Sequence, residues 1–236
     1  MAASHSPLVT LFHAIASRDE QAVARLLDAA PDLARQAADI GATRQESLAY
    51  FFDEIKHYVY TGDTALHVAA AAYEREMART LLARGADVAA RNRRGAQPLH
   101  YAADGGPDAP TWNPTAQATM IECLIAAGAD PNAADKSGVA PLHRAVRGRC
   151  ASAVRALLAN GAHPRGRNGS GSTPLHLAVQ NTGRGGSGSP AAREQQKEII
   201  ALLLKHGARL TDKDAAGKTV KQSVASDWLL EVIEAA

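Results

Sequence analysis

Thr173-Pro174-Leu175-His176 is the stretch that decides the fold, because the chain keeps returning to it. Its other copies are Thr64-Ala65-Leu66-His67, Gln97-Pro98-Leu99-His100 and Ala140-Pro141-Leu142-His143. Downstream of each comes a Leu-Leu or Leu-Ile pair and then Gly-Ala, at Gly85-Ala86, Gly128-Ala129, Gly161-Ala162 and Gly207-Ala208. The interval is 33 residues from Thr64 to Gln97 and again from Ala140 to Thr173. Self-similarity at a fixed period of this size marks one supersecondary unit stacked on copies of itself. An earlier, degenerate copy is read at Thr10-Leu11-Phe12-His13, and a last, truncated one opens at Thr219.

Each recurring residue has a physical job. Asn92, Asp135, Asn168 and Asp214 open a turn, and Gly95, Gly138, Gly171 and Gly217 follow three residues later. Asx side chains bond to nearby turn backbone, and Gly accepts a positive φ. Thr64 or Thr173 then caps a helix whose first residue is Pro98, Pro141 or Pro174 in the copies that carry proline, where a missing N–H costs nothing. The second helix of each unit shows helical spacing, as in Met77, Leu81 and Leu82 or Ile199, Ile200, Leu203 and Leu204, and the Gly-Ala glycine is its stop.

The period and the T-P-L-H signature resemble the ankyrin repeat family, whose unit is 33 residues. The resemblance covers nearly the whole chain. It implies an all-α solenoid of helix-turn-helix units with caps at both ends, in which the motif histidines His67, His100, His143 and His176 bond neighbouring turn backbone. On that basis the chain divides into a degenerate N-terminal repeat (8–37), an extended finger (38–60), repeats at 61–91, 92–134, 135–167 and 168–213, and a C-terminal capping repeat (214–236). Asp227 to Ile233 reads as a final amphipathic helix.

Composition agrees with a stack of thin layers. The 236 residues are 46% hydrophobic but only 4% aromatic, and alanine-rich helices approach each other closely. A formal charge of +2 gives no case for a nucleic-acid or membrane-surface protein. Cys123 and Cys150 read as small buried hydrophobes of a reducing compartment. Met1 to Ser17 lacks a basic start and a long apolar run, so cytoplasmic residence is the expectation, and the Ala-, Arg- and Gly-rich usage has a bacterial look.

Specific activity is sought where the period breaks. The intervals of 54, 43 and 46 residues that open at Thr10, Gln97 and Thr173 exceed 33 by 21, 10 and 13. The first excess falls at 38–58, the second within 105–119 and the third within 181–193. Long ordered loops in compact folds are disproportionately functional. The first has a helical look from Gln45 to Lys56, and the stretch to Tyr60 holds five of the ten aromatic residues: Tyr50, Phe51, Phe52, Tyr58 and Tyr60. Two readings stay open: these rings glue the finger to the stack, or Tyr58, Tyr60 and His57 help close a ligand pocket. The third insertion contains Gly183-Arg184-Gly185-Gly186-Ser187-Gly188-Ser189-Pro190, which is a flexible linker or an anion-binding nest helped by Arg184 and Arg147.

Catalytic and metal signatures are weak. No Cys/His cluster has zinc spacing, and no Gly-x-Ser-x-Gly elbow occurs. The one constellation that can be assembled is Asp53, Glu54, His57 and Tyr58 facing Asp104 and Arg144. A binding surface is a stronger expectation. The positions after the motif histidines, Val68, Tyr101, Arg144 and Leu177, continue one turn on to Ala71, Asp104, Arg147 and Gln180. With the turn tips Arg93, Arg94 and Lys136 they form a stripe with an aromatic anchor and a basic rim, flanked by Asp108, Trp112, Asn113, Asn181 and Arg184. Tyr and Arg are enriched at binding hot spots. The expected function is a non-catalytic module binding a protein partner through its concave face and turn tips, of immunity or regulatory type. The competing reading is a binder of a small anionic ligand, or an enzyme, with a pocket formed by the finger and loops 105–118 and 181–193. No cofactor, metal, nucleic acid or membrane is expected.

Overall fold

Four turns carry the same wiring. Asn92 Oδ1 accepts the N–H groups of Arg94 and Ala96, Asp135 Oδ1 those of Ser137 and Val139, Asn168 Oδ1 those of Ser170 and Ser172, and Asp214 Oδ1 those of Ala216 and Lys218, all between 2.8 and 3.1 Å. Each turn is closed by a backbone bond of 3.0 Å, such as Asn168 N–H to Ser172 C=O. One short side chain therefore satisfies two donors that a turn would otherwise leave to water.

The computed structural model describes residues 6–107, 112–181 and 188–234. They form two compact units, one of residues 1–102 with 119–130, the other of residues 103–118 with 131–236. In the first, α1 (Pro7–Ala16), α3 (Ala65–Ala72) and α5 (Pro98–Ala102) lie side by side, while α2 (Glu20–Ala29) packs on α1 and α4 (Arg75–Ala83) on α3. The helix α6 (Pro114–Ala126) begins in the second unit and ends in the first. In the second, α7 (Pro141–Arg147) lies beside α9 (Pro174–Ala178), backed by α8 (Ala151–Ala159) and α10 (Pro190–Lys205), and α11 (Asp227–Glu234) follows. Leu66, Leu81 and Leu99 in one unit, and Leu157, Leu175, Ile199 and Leu203 in the other, are fully buried among alanines.

The motif histidines are polar staples in this apolar stack. Nδ1 of His67, His100, His143 and His176 accepts the N–H of its own cap residue, Thr64, Gln97, Ala140 and Thr173, at 3.1–3.2 Å. A backbone N–H can only donate, so Nδ1 is bare and the proton sits on Nε2. That proton goes to the C=O of the next turn: Ala96 for His67, Ser172 for His143 and Lys218 for His176, at 3.2–3.3 Å. The ring must be neutral to do both.

Two elements differ from expectation. The first repeat does not open at Thr10, which lies inside α1. Its cap position is Ser6, with extended backbone (φ −71°, ψ 131°) and Pro7 as the first helical residue, so Ser6-Pro7-Leu8 is in register with Thr-Pro-Leu. The finger is not helical from Gln45 to Lys56. A single 3₁₀ turn, Leu48–Tyr50, leads into a hairpin of β1 (Phe51–Phe52) and β2 (His57–Tyr58), where Phe51 faces Tyr58 and Phe52 faces His57. Aromatic pairs favour a pleated surface, and Lys56 takes a positive φ of 50° to turn the chain. The second and third insertions are absorbed in part into longer helices. Asn113 accepts from Thr115 and Ala116 N–H, with Pro114 next, and Ser189 accepts from Ala192 N–H, with Pro190 next. The last repeat keeps half the staple, since Gln222 Oε1 accepts the Thr219 N–H at 2.9 Å.

Burial holds the His143 pKa below its ordinary 6.5, although its bonds to backbone oppose the shift. The unfolded chain then binds more protons than the folded one, so stability present above pH 6.5 declines as pH falls through and below that value. Replacing His143 by Gln should flatten that slope in urea unfolding, whereas His143→Ala, which strands a buried N–H and C=O, should cost about 2–3 kcal/mol. A second pair of variants separates space from backbone angle. Gly148 has an ordinary φ of −73°, yet a Cβ there would meet the Gly105 C=O oxygen at 2.2 Å. Gly161 has φ +86° with nothing within 4 Å of its Cβ position. Thermal melts should show Gly161→Ala costing about 1 kcal/mol and Gly148→Ala more, about 2–3 kcal/mol.

Candidate functional site

The finger is held to the first unit by backbone bonds on one side and arginines on the other. Ala38 N–H donates to Asp63 C=O and Gly62 N–H to Ala38 C=O, each at 2.7 Å, while within the finger Ala42 N–H donates to Val59 C=O at 2.8 Å. The Arg93 guanidinium donates to Ala42 C=O. Arg93 and Arg94 both lie over the Tyr60 ring, 5.4 and 5.1 Å from its centroid, and Arg94 Nη1 donates to the Tyr60 hydroxyl at 3.1 Å. Aromatic rings continue from there: Tyr60 to Tyr58 at 6.4 Å between centroids, and Tyr58 to Phe51 at 4.8 Å. On the other flank His13 stacks on Phe52 at 4.4 Å.

Beneath the hairpin sits a buried carboxylate. Asp63 is fully buried and accepts the Tyr101 hydroxyl at 2.8 Å, Asn92 Nδ2 at 2.9 Å and the Tyr60 N–H at 2.6 Å. The His57 ring covers Tyr101 with centroids 4.3 Å apart, its Nδ1–H donating to Tyr58 C=O at 2.9 Å. A buried charge needs this many donors to remain buried. Tyr101, expected as an exposed anchor, is therefore a buried donor to Asp63 with only 3% of its surface exposed.

The second unit treats Arg144 in the same way. Its guanidinium donates to Asp104 at 2.7 Å and Asp135 at 3.2 Å, and the residue is buried. Burial works against the Arg144 charge, but Asp104 and Asp135 outweigh it and keep it protonated. Burial would likewise raise the Asp135 pKa, yet the Ser137 and Val139 N–H groups and Arg144 hold it below the usual carboxylate range. Neither Asp104 nor Arg144 is thus a free group of a catalytic or ligand-binding constellation. Nearby, Gln117 bridges the Trp112 indole N–H (2.8 Å) and the Asp104 C=O (2.9 Å), and Asn113 is occupied in capping α6. Cys150 donates its thiol to Gly105 C=O at 2.7 Å, and burial pushes its pKa up to about 12, which makes it inert as a nucleophile at neutral pH.

Arg149 takes a structural role. It is buried without a carboxylate partner among the described residues, and donates to the C=O groups of Val146, Leu177 and Gln180. Those oxygens lie at the ends of α7 and α9, where helix dipoles favour a cation. Desolvation lowers its pKa to about 10, so it stays charged near neutrality. Arg147 and the Gln180 side chain are exposed. Arg184, Asp108 and Gly183–Ser187 of the Gly-Ser run lie outside the described residues. Among those that are described, no three His, Cys, Asp or Glu side chains gather to hold a metal ion, and no helix is long and apolar enough to cross a membrane. An open groove of about 690 Å³ runs between the start of α10 and α11, with Arg193 placed 5.8 Å from the Trp228 ring centroid.

The large apolar side chains left exposed were missed. Among the described residues they are Leu48, 81% exposed, and Ile40, 52% exposed, and both belong to the finger. Ile40 stands outside any periodic pattern, and Leu48 falls in the Gln45–Lys56 stretch, whose helical reading gave no reason to expect it exposed.

A family model described as ankyrin repeats (three copies) matches residues 11–109 and again 115–214. No curated protein matches the chain. With the shared turn wiring, the histidine staples and a family match over most of its length, the chain belongs to the ankyrin repeat family.

Proposed function

We propose that this ankyrin-repeat protein is a non-catalytic module that binds a protein partner, in a regulatory or immunity-type role. Its contact surface is the finger at 38–60 with the turn tip Arg93-Arg94, both in the first unit. Ankyrin repeats are generally protein-interaction modules. The observation that carries this reading is the placement of Leu48 and Ile40: both large apolar side chains that remain exposed among the described residues sit on the longest of the three departures from the repeat. Exposed apolar groups on a rigid support are the usual material of protein interfaces. Of the polar groups that a catalytic reading would recruit, Asp104 and Arg144 are paired with each other and Asp53 with Lys56. A stack braced by such internal contacts can hold a partner without rearranging itself.

The test is a quantitative capture from the native cell with wild-type protein and Leu48→Asp. The variant should lose the retained partner while its melting temperature stays within about 2 °C, because Leu48 is a surface position. Equal capture by both proteins would remove the finger from the interface. Arg144→Ala should behave in the opposite sense. It leaves Asp135 and Asp104 without their cation and should cost about 3 kcal/mol in urea unfolding, with partner affinity unchanged where the fold is intact.

A further inference from the structure

Arg93 and Arg94 are both exposed, and neither has a carboxylate partner among the described residues. The same chain pairs Arg144, Arg165, Arg155, Arg84 and Arg18 with acids. The finger is not short of carboxylates, since it carries Asp39, Glu46, Asp53 and Glu54. None of them reaches the two arginines. Asp53 is bonded instead to Lys56 at 2.5 Å in the hairpin turn. At a strand rise of about 3.3 Å per residue, that turn lies about 13 Å from Tyr60. The aromatic strip Phe51–Tyr58–Tyr60 thus has a cationic end and an acidic end.

The cations are also fixed in place. Each guanidinium lies over the Tyr60 ring, and each donates one hydrogen bond, Arg93 to Ala42 C=O and Arg94 to the Tyr60 hydroxyl. A guanidinium has five N–H groups, so most of each fork remains for another acceptor. Stacking has removed rotamer freedom that a flexible arginine would lose on binding. An oriented fork with unused donors matches a carboxylate, and the neighbouring rings match an apolar side chain.

We infer that the Tyr60 end of the finger docks an acidic segment of the protein partner, with a carboxylate held between Arg93 and Arg94 and an adjacent apolar residue against the Phe51–Tyr58 pair. This rests on the reading of the finger as a binding surface and adds the chemistry of what it binds. Random peptides displayed on phage, selected against the intact protein, provide the test, followed by titration of the selected peptides in free form. Selected sequences should be enriched in Asp or Glu beside an aromatic or aliphatic residue. Their affinity should fall at least about tenfold on Arg93→Glu/Arg94→Glu and weaken as salt is raised. Because Arg93 also holds the finger backbone, Arg94→Glu alone is the second variant, its bond being only to the Tyr60 side chain. Selected peptides without acidic enrichment, an unchanged affinity for Arg94→Glu, or the absence of any enriched peptide would overturn the assignment. So would preferential Arg94-dependent binding of oligothymidylate, which would make the strip a nucleic-acid platform. Peptides that ignore Arg93 and Arg94 but lose binding with Leu48→Asp would overturn the acidic partner and leave the finger as an interface. Peptides indifferent to all three changes would overturn both.

Discussion

A neutral imidazole bridging two backbone groups is the constraint on which the stack depends. In each copy whose two bonds are known, at His67, His143 and His176, the ring takes an N–H from its own repeat and gives its proton to the turn of the next. The apolar contacts of Leu66, Leu142 and Leu175 supply the larger share of the burial energy, but they have no directional preference. The staple fixes the spacing of one repeat on the next within each unit. It does so in space and not along the chain: the histidine and its acceptor are 29 residues apart for His67 and His143 but 42 for His176. The additional 13 residues are those of the third insertion. Part of them is wound into the longer α10, and the bond is kept. Insertions are tolerated wherever they leave this bridge intact, since lengthening a loop costs little entropy.

The same logic turns an expected binding stripe into internal bracing. A residue placed just after the motif histidine lies close to the turn that opens its own repeat, where Asx carboxylates and amides already gather. Tyr101 meets Asn92 and Asp63 there, and Arg144 meets Asp135. Burial then decides the role. A half-dry arginine beside two carboxylates is locked, because separating the pair would strand charge in a medium that cannot solvate it. What looks in the sequence like a polar face is, at these two positions, a hydrogen-bonded seam within a unit.

Much of the fold was legible because its rules are local. The Asx-to-Gly turns, the cap and proline at each helix start and the Gly-Ala stops all use contacts within a few residues, so spacing alone identified them. The first repeat was misplaced by four residues because Thr10-Leu11-Phe12-His13 offers a histidine at the motif position, while Ser6-Pro7-Leu8-Val9 lacks one; the proline after a small hydroxyl residue was the better guide. In the finger, the Gln45–Lys56 pattern is compatible with a helix, and only cross-strand pairing of Phe51 with Tyr58 and Phe52 with His57 selects the hairpin. Such pairing is a long-range fact that a window of sequence does not contain. For the candidate site, residue types were found more readily than roles. Arg93, Arg94, Tyr58 and Tyr60 come together at the finger, whereas Asn113 caps a helix and Asp104 binds Arg144.

The finger's construction explains how a repeat protein can carry exposed apolar surface without building a new core for it. Its base is bonded to groups the repeat already presents: the Asp63 C=O, the Tyr101–Asn92–Asp63 cluster and the Arg93 side chain. The hairpin then places its rings against residues of that base, Phe52 on His13 and His57 on Tyr101. These contacts order the segment before any partner arrives, so the entropy of fixing 23 residues is not charged to the binding event. The finger turns Ala38, Ala42, Phe52 and Val59 inward and leaves Leu48 and Ile40 outside. Exposure of two aliphatic side chains on such a braced support is a small cost for a monomer and a direct gain for a complex that covers them. The repeat supplies the rigidity, and under the proposed function the finger supplies the surface on which selectivity acts.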